Sequence, residues 1–230
     1  MAIILNIETS GKYCSVTLSE DGGVLLQKMD DEEMRHSEIL APYIDEALSY
    51  LHRQEKKLDA VAVSIGPGSY TGLRIGLSMA KGICFGSDIP LIGVPTLEIL
   101  AVKAMFLPRE WSGEEILVPM IDARRMEVFT ASYDFALNRI EPPHALILDS
   151  SSFRDLCPGK QLVFCGDGCG KLKDVIERDN VVFLPNLHQD STDMIALSEK
   201  AFRESRFLDV AYSVPEYIKA YQTTVPKKTL

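Results

Sequence analysis

A mostly apolar, β-branched run over residues 58–65 stops abruptly at Gly66-Pro-Gly-Ser-Tyr-Thr-Gly72, and a helical pattern occupies residues 73–85 directly after it. A strand that turns into a helix through so many glycines points to an α/β arrangement in which backbone, rather than side chains, lines the turn. Backbone N–H groups there can approach an anion, and the helix behind aims its positive end at the same point, so a phosphate suits the loop chemically. The spacing is not that of a P-loop, since no Lys-Ser or Lys-Thr follows Gly72, and it is not the dinucleotide fingerprint, whose final glycines sit closer together. A sharp strand-to-helix turn without any ligand accounts for Gly66, Gly68 and Gly72 equally well. Inside the helix Gly72, Gly76 and Ala80 recur every fourth residue. Glycine costs about 1 kcal/mol of helix propensity at each position, so a closely packed neighbour, within this chain or from another subunit, is expected to offset it.

The surrounding chain fills in the plan. The first thirty residues read as three short strands joined by tight turns, the second turn falling at Glu20-Asp-Gly-Gly23. Ile39, Leu40, Tyr43, Ile44, Ala47, Leu48 and Leu51 then recur at helical spacing as one broad apolar stripe, with Pro42 either kinking that helix or lying in its first turn. After the glycine loop and its helix come a short buried strand at residues 90–94 and a helix over residues 96–105 that Thr96 is placed to cap. The order is βββαβα. A link bearing Pro and Gly follows, so residues 1–105 read as a first lobe and 106–230 as a smaller, divergent second lobe whose last residues are candidates to return to the first. In the second lobe, strands are expected at 115–122, 127–133, 161–165 and 181–183, and helices at 151–156, 170–177 and 193–206.

Charge and cysteines narrow the function classes. The net charge is −9, which argues against tight unaided binding of RNA or DNA phosphates. No apolar stretch approaches the roughly 18 residues of a membrane span, and Met1-Ala-Ile-Ile-Leu5 is not preceded by a basic leader, so a cytoplasmic protein without membrane contact is expected. The 5 cysteines are scattered and fit reduced thiols. Cys165-Gly-Asp-Gly-Cys169 is the one close pair, and no second Cys or His pair follows at zinc-knuckle spacing.

Several segments together carry a resemblance. The opening Ile7-Glu-Thr-Ser10, the helix start His36-Ser-Glu-Ile-Leu-Ala-Pro42, the string Gly66-Pro-Gly-Ser-Tyr-Thr-Gly-Leu-Arg-Ile-Gly76, Gly93-Val-Pro-Thr-Leu97 and Ile121-Asp-Ala-Arg-Arg125 resemble the TsaB family, also called YeaZ. The match is close over about the first 130 residues. It implies a two-lobed actin-, Hsp70- and sugar-kinase-like α/β fold with βββαβα lobes. It also implies a chain that is not itself the catalyst. TsaB-like proteins pair with TsaD, a paralogue that transfers a threonylcarbamoyl group to adenosine in tRNA, and a TsaE-type ATPase joins them. The resemblance therefore implies a homodimer when the chain is alone, tRNA contact only through the complex, and ATP or ADP only at a composite interface. TsaD-like chains carry two metal-binding histidines four apart where this chain has Thr96-Leu-Glu-Ile-Leu100. Neither Thr96 nor Leu100 offers an imidazole.

The remaining chemistry is thin. His36, His52, His144 and His188 are dispersed, and Ser10, Ser64 and Ser69 lie in no nucleophile elbow, so no metal site, triad or catalytic residue is assigned. Glu8, Thr9 and Ser10, with Gly66, Gly68, Ser69, Thr71 and Gly72, form a candidate vestigial or composite phosphate site. Side-chain hydrogen bonds that finish a strand explain Glu8 and Thr9 as well. Asp122 with Arg124 or Arg125 reads either as a salt link fixing a turn or as a ligand contact, and His36 as a packing residue. Lys227-Lys228 is too short a run to argue RNA contact. The expected partner interface comprises Ile39, Leu40, Tyr43, Ile44 and Ala47 on one helix and Leu73, Gly76, Leu77 and Ala80 on the other. Two other readings stay open: an ATPase or small-molecule kinase with an inter-lobe nucleotide site, and a glycoprotease, which would need the ligands that Thr96 and Leu100 displace.

Overall fold

The computed structural model describes residues 2–30, 32 and 35–219. The first sheet contains β1 (Ile3–Glu8), β2 (Ser15–Glu20), β3 (Gly23–Met29), β4 (Ala60–Gly66) and β5 (Leu91–Pro95) in the order β3-β2-β1-β4-β5. β1 to β3 are an antiparallel meander, while β4 and β5 add in parallel. Parallel addition needs crossovers, which α1 (His36–Arg53) and α2 (Tyr70–Ser87) provide. The second sheet repeats the plan with β6 (Ile116–Asp122), β7 (Glu127–Tyr133), β8 (Arg139–Ile147), β9 (Leu162–Gly166) and β10 (Val181–Pro185), ordered β10-β9-β6-β7-β8. Both sheets thus have the strand plan of an actin-, Hsp70- and sugar-kinase-like α/β fold. The correspondence extends to backbone detail. Gly66 ends β4 with φ +119° and Gly166 ends β9 with φ +109°, a conformation that favours glycine.

The layers follow from strands that are apolar on both faces. Leu5, Ile7, Val16, Val61 and Val63 face α1 and α2. Ile4, Ala62, Ile92 and Val94 face the other way, onto Met194 and Ala201 around α4 (Ile195–Arg203). Leu117, Ala131, Val163 and Cys165 of the second sheet are covered by Leu97, Leu100, Ala101 and Ala104 of α3 (Thr96–Met105). α3 thus lies between the sheets, with Ile99 in the core of the first and Leu97, Leu100, Ala101 and Ala104 on the second, while α4 leaves the second sheet and packs on the first. A buried polar seam fixes that return: Ser198 Oγ donates to Asn6 Oδ1 at 2.7 Å and the Ser191 N–H donates to Ser15 Oγ at 2.8 Å.

The second lobe departs from its expected helices. Residues 151–156 form turns, and the expected helix at 170–177 is reduced to the four-residue 3-10 helix Cys169–Leu172 with turns beyond it. Arg178 holds the first of these segments, donating at 2.6 Å to the carbonyls of Phe153 and Leu156 and at 3.1 Å to that of Cys157. β8 was not expected, because Pro142-Pro143 breaks its pattern. Those prolines are tolerated because β8 is an edge strand. Thr96 does not cap α3; it is the first helical residue, and its Oγ1 is buried without a partner among the described residues. Pro42 lies inside α1, on its exposed side. All 5 cysteines are free. Lys227 and Lys228 lie outside the described residues.

Candidate functional site: the inter-lobe cleft and the outer face of α2

The glycines of the loop are explained by what touches them. A Cβ at Gly68 would overlap the Ser10 carbonyl oxygen, one at Gly72 the Thr9 carbonyl oxygen, and one at Gly76 Thr9 Oγ1. The end of β1 therefore lies directly against the first turns of α2. The Ser69 N–H donates to the Ser10 carbonyl at 2.7 Å, and Ser69 Oγ caps α2 by accepting from the Gly72 N–H at 3.2 Å. The fourth-residue spacing serves packing inside the chain: Gly72 and Gly76 meet the end of β1, and Ala80 lies in the core that α2 shares with α1 and the sheet.

Glu8 is fully buried at this junction. Its Oε1 accepts from the Ser10 N–H at 2.6 Å and from Ser10 Oγ, while Oε2 has no partner among the described residues. Burial pushes the Glu8 carboxyl up to about 7, against the opposing pull of the Ser10 hydrogen bonds. Burial likewise pushes the neighbouring Cys14 thiol up to about 12. Ser10 Oγ accepts from Gln189 Nε2 at 2.9 Å, which ties the end of β1 to the segment that returns from the second lobe. That segment is anchored at Lys103, whose Nζ lies 2.7 Å from Asp190 Oδ2 and 3.2 Å from Asp193 Oδ2.

Between the lobes lies a cleft of about 570 Å³ with Ser10, Gly68, Ser69 and Thr71 on one wall and Asp122, Arg124 and Asp167 on the other. Of the candidate phosphate-site residues, the structure brings Ser10, Gly68, Ser69 and Thr71 to the cleft. Glu8, Thr9, Gly66 and Gly72 are buried behind that wall, so the structure corrects their expected place at a ligand. Asp122 is also corrected: Oδ1 accepts from the Arg124 N–H and from Lys171 Nζ, both at 2.5 Å, rather than from an arginine side chain. Arg124 and Arg125 both adopt left-handed backbone, φ +71° and +52°, at the exposed turn between β6 and β7. Lys12, from the loop between β1 and β2, and His188 and Gln189, which the chain's return past β10 brings there, also line the cleft and were not anticipated. His36 is buried in α1 against the backbone of Gly11 and Tyr13, and burial lowers its pKa.

The expected partner interface needs a larger correction. Ile39, Leu40, Ile44, Ala47, Leu73, Gly76, Leu77 and Ala80 are all buried within the chain's own first lobe, and Tyr43 is half-buried against the same core. Their side chains are occupied by the sheet. What α2 turns outward is Thr71, Arg74, Ser78, Gly82, Phe85 and Gly86, with Phe85 85% exposed and open space around Gly82 and Gly86. One flank of this stripe is bound by the chain beyond α4. Lys81 Nζ donates to the carbonyls of Ala211 and Ser213, and Arg74 Nε donates to Tyr217 Oη at 3.0 Å. Thr96 and Leu100 are buried in α3 and supply no ligating nitrogen. Among the described residues no group of three or more His, Cys, Asp or Glu is placed to hold a metal ion, and no helix is long and apolar enough to cross a membrane.

Comparison with known proteins adds a family. A family model described as TsaD, tRNA N6-adenosine threonylcarbamoyltransferase, matches residues 16–228. The chain is 29% identical over 228 residues to the tRNA threonylcarbamoyladenosine biosynthesis protein TsaB of Escherichia coli (strain K12), covering 94% of each. It is 27% identical over 225 residues to TsaB of Bacillus subtilis (strain 168), covering 94% of this chain and 93% of that one. YeaZ from Pseudomonas aeruginosa has a similar structure, with a TM-score of 0.79 and 24% identity over 94% of this chain and 100% of that chain. The structural likeness supports the fold alone.

Proposed function

The chain belongs to the TsaD family, tRNA N6-adenosine threonylcarbamoyltransferase, and from that premise we propose that it serves threonylcarbamoyladenosine formation in tRNA as a non-catalytic docking subunit. Its partner is a TsaD-like paralogue, a TsaE-like ATPase joins the pair, and tRNA is met through the complex, in the cytoplasm. The observation that carries the reading is the presence of Thr96 and Leu100 where the transferase resemblance requires two histidines, within a chain that the family model matches over residues 16–228. Nearly full-length similarity to proteins named TsaB supports the same assignment.

The docking face follows from exposure. An unpartnered phenylalanine beside small residues lets a second helix approach closely and offers a buried anchor on association, so Phe85 with Ser78, Gly82 and Gly86 forms its centre. Without the paralogue, the same face pairs two copies of this chain. The test is co-purification with a cognate TsaD-like protein: wild type co-elutes, whereas Phe85→Glu combined with Gly82→Glu elutes alone with an unchanged circular dichroism spectrum. Equal co-elution of both forms overturns the assignment of the face. Omitting this chain from a reconstituted modification reaction containing the paralogue, the ATPase, threonylcarbamoyl-adenylate and tRNA abolishes the product if the functional reading holds.

A second reading, an ATPase or small-molecule kinase, draws on the cleft, where Arg124 has no side-chain partner among the described residues. Calorimetry of the isolated chain with ATP and magnesium separates the two. Appreciable affinity without partners favours the kinase; heat only after the paralogue and the ATPase are added favours a composite site.

A further inference from the structure

Beyond α4 the chain returns along one flank of α2 as a strap, residues 208–217, that runs antiparallel to the helix. Lys81 Nζ donates to the carbonyls of Ala211 and Ser213 at 2.9 and 3.1 Å, and two turns nearer the start of α2 Arg74 Nε donates to Tyr217 Oη. The strap is seated in the fold. The Leu208 N–H donates to the Leu91 carbonyl at 2.8 Å and the Glu216 N–H to the Ile65 carbonyl at 2.7 Å. Leu208 and Val210 pack on the first-lobe core, and Pro215 is buried. Strand glycines leave room for it: a Cβ at Gly93 would meet Leu208 Cδ1, and one at Gly66 the Glu216 carbonyl oxygen, each at 2.7 Å.

Two large apolar side chains of the strap nevertheless face solvent, Tyr212 at 85% exposure and Val214 at 70%. The backbone under them is fixed. Asp209 Oδ1 accepts from the N–H groups of Ala211 and Tyr212 at 2.8 and 2.9 Å, the Ser213 N–H donates to the Asp209 carbonyl at 3.0 Å, and Lys81 holds the two carbonyls. An approaching surface therefore meets a turn that is already ordered, and association loses little backbone entropy there. Phe85 stands one helical turn beyond Lys81, so the exposed ring of α2 and those apolar side chains of the strap belong to one patch.

Charge indicates what fits that patch. The chain carries 33 acidic against 24 basic residues, yet neither cation at the seam forms an ion pair with a carboxylate among the described residues. Lys81 donates to carbonyls, and Arg74 lies 4.2 Å over the Tyr70 ring while donating to a phenol oxygen. Two such cations beside apolar side chains are complemented by carboxylates set in an apolar protein face. Nucleic acid is a poorer match, because two cations on a chain of net charge −9 attract phosphates weakly.

We propose that the strap is the second half of the docking face: Tyr212 and Val214 join Phe85 as anchors, and Arg74 and Lys81 receive carboxylates from the TsaD-like paralogue, whose docking helix is apolar with an acidic edge. This rests on the reading of α2's outward side as the docking surface.

Calorimetry of the full chain with the paralogue, at about 50 mM and about 500 mM salt, tests it. Tyr212→Ser combined with Val214→Ser should weaken binding about tenfold or more at an unchanged melting temperature. Wild-type affinity should fall as salt rises, and Arg74→Gln combined with Lys81→Gln should flatten that dependence. If the strap pair binds as wild type does while Phe85→Glu loses the paralogue, the strap is not part of the face and the α2 reading stands. If Phe85→Glu and the strap pair both bind as wild type does, the α2 reading falls and the strap with it. A salt dependence that survives Arg74→Gln with Lys81→Gln overturns the acidic edge. Binding of tRNA to the isolated chain, lost in the strap pair, assigns the patch to nucleic acid and overturns the proposal.

Discussion

Gly76 of α2 lies so close to Thr9 that a methyl group at position 76 would occupy the space of Thr9 Oγ1. Thr9 is fully buried and cannot turn aside into solvent. Gly76→Ala should therefore lower stability by about 3 kcal/mol, the upper part of the usual range for overpacking a core. Gly82, six residues further along α2, has open space where its Cβ would be, and Gly82→Ala should raise stability by about 0.5–1 kcal/mol through helix propensity. Denaturant unfolding of the two variants should move the midpoint in opposite directions.

The corrected docking face predicts how two kinds of charge insertion differ. Ala80→Glu or Ile44→Glu places an unpaired carboxylate in the first-lobe core, so the protein should lose its cooperative unfolding transition, and loss of partner binding would then report unfolding. Phe85→Glu should keep the wild-type melting temperature within a few degrees and lose the partner alone. Differential scanning calorimetry beside gel filtration distinguishes them.

Stability should fall as pH rises through the weakly acidic range. The folded Glu8 carboxyl stands at about 7 against an ordinary 4.5, and Asp193 at about 6 against 3.8. Both bind a proton more tightly in the folded protein, so the folded state loses ground from their unfolded values upward until each folded value is passed. Glu8 contributes a loss of up to about 3 kcal/mol by pH 7. Carboxylates held low, such as Asp190 beside Lys103, act in the opposite direction but only below their ordinary value. Between pH 5 and 7 the raised pair acts against His36, whose lowered pKa makes stability rise with pH. Glu8→Gln with Asp193→Asn should therefore abolish the fall in stability there and leave the rise due to His36, as read by urea unfolding at fixed temperature.

Arg178 should be the single side chain on which the outer layer of the second lobe most depends. Its guanidinium donates to carbonyls of Phe153, Leu156, Cys157 and Lys160, a fan that one lysine ammonium cannot reproduce. Arg178→Met should destabilise by about 2–4 kcal/mol, and Arg178→Lys should restore less than half of that. Hydrogen exchange over residues 151–160 should rise well before the first lobe responds.

These contacts explain where residue patterns spoke clearly and where they did not. The meander, the glycine loop and α1 to α3 are local: turn glycines, apolar runs and helical stripes sit within each segment. The stripe of Ile39, Ile44, Leu73 and Leu77 was equally legible, yet an apolar face at helical spacing looks the same whether it meets a sheet or a partner. Only the position of β1 and β4 beneath it decides. Residues 151–160 were illegible for a different reason, since Arg178, far along the chain, shapes them. Gln189 came to the cleft by a return path that no periodicity records. Among the candidate site residues, Ser10, Gly68, Ser69 and Thr71 line the cleft because their own loops face it, whereas Glu8 and Thr9, one step behind, are buried.

The placement of α3 and α4 makes the two halves of this polypeptide mutually dependent. Severed near residue 110, the leading piece would keep a helix that fits the trailing sheet and lack the one that seals its own. Neither fragment should then survive by itself, but produced together they should recognise each other and rebuild the parent, as two garments buttoned each into the other.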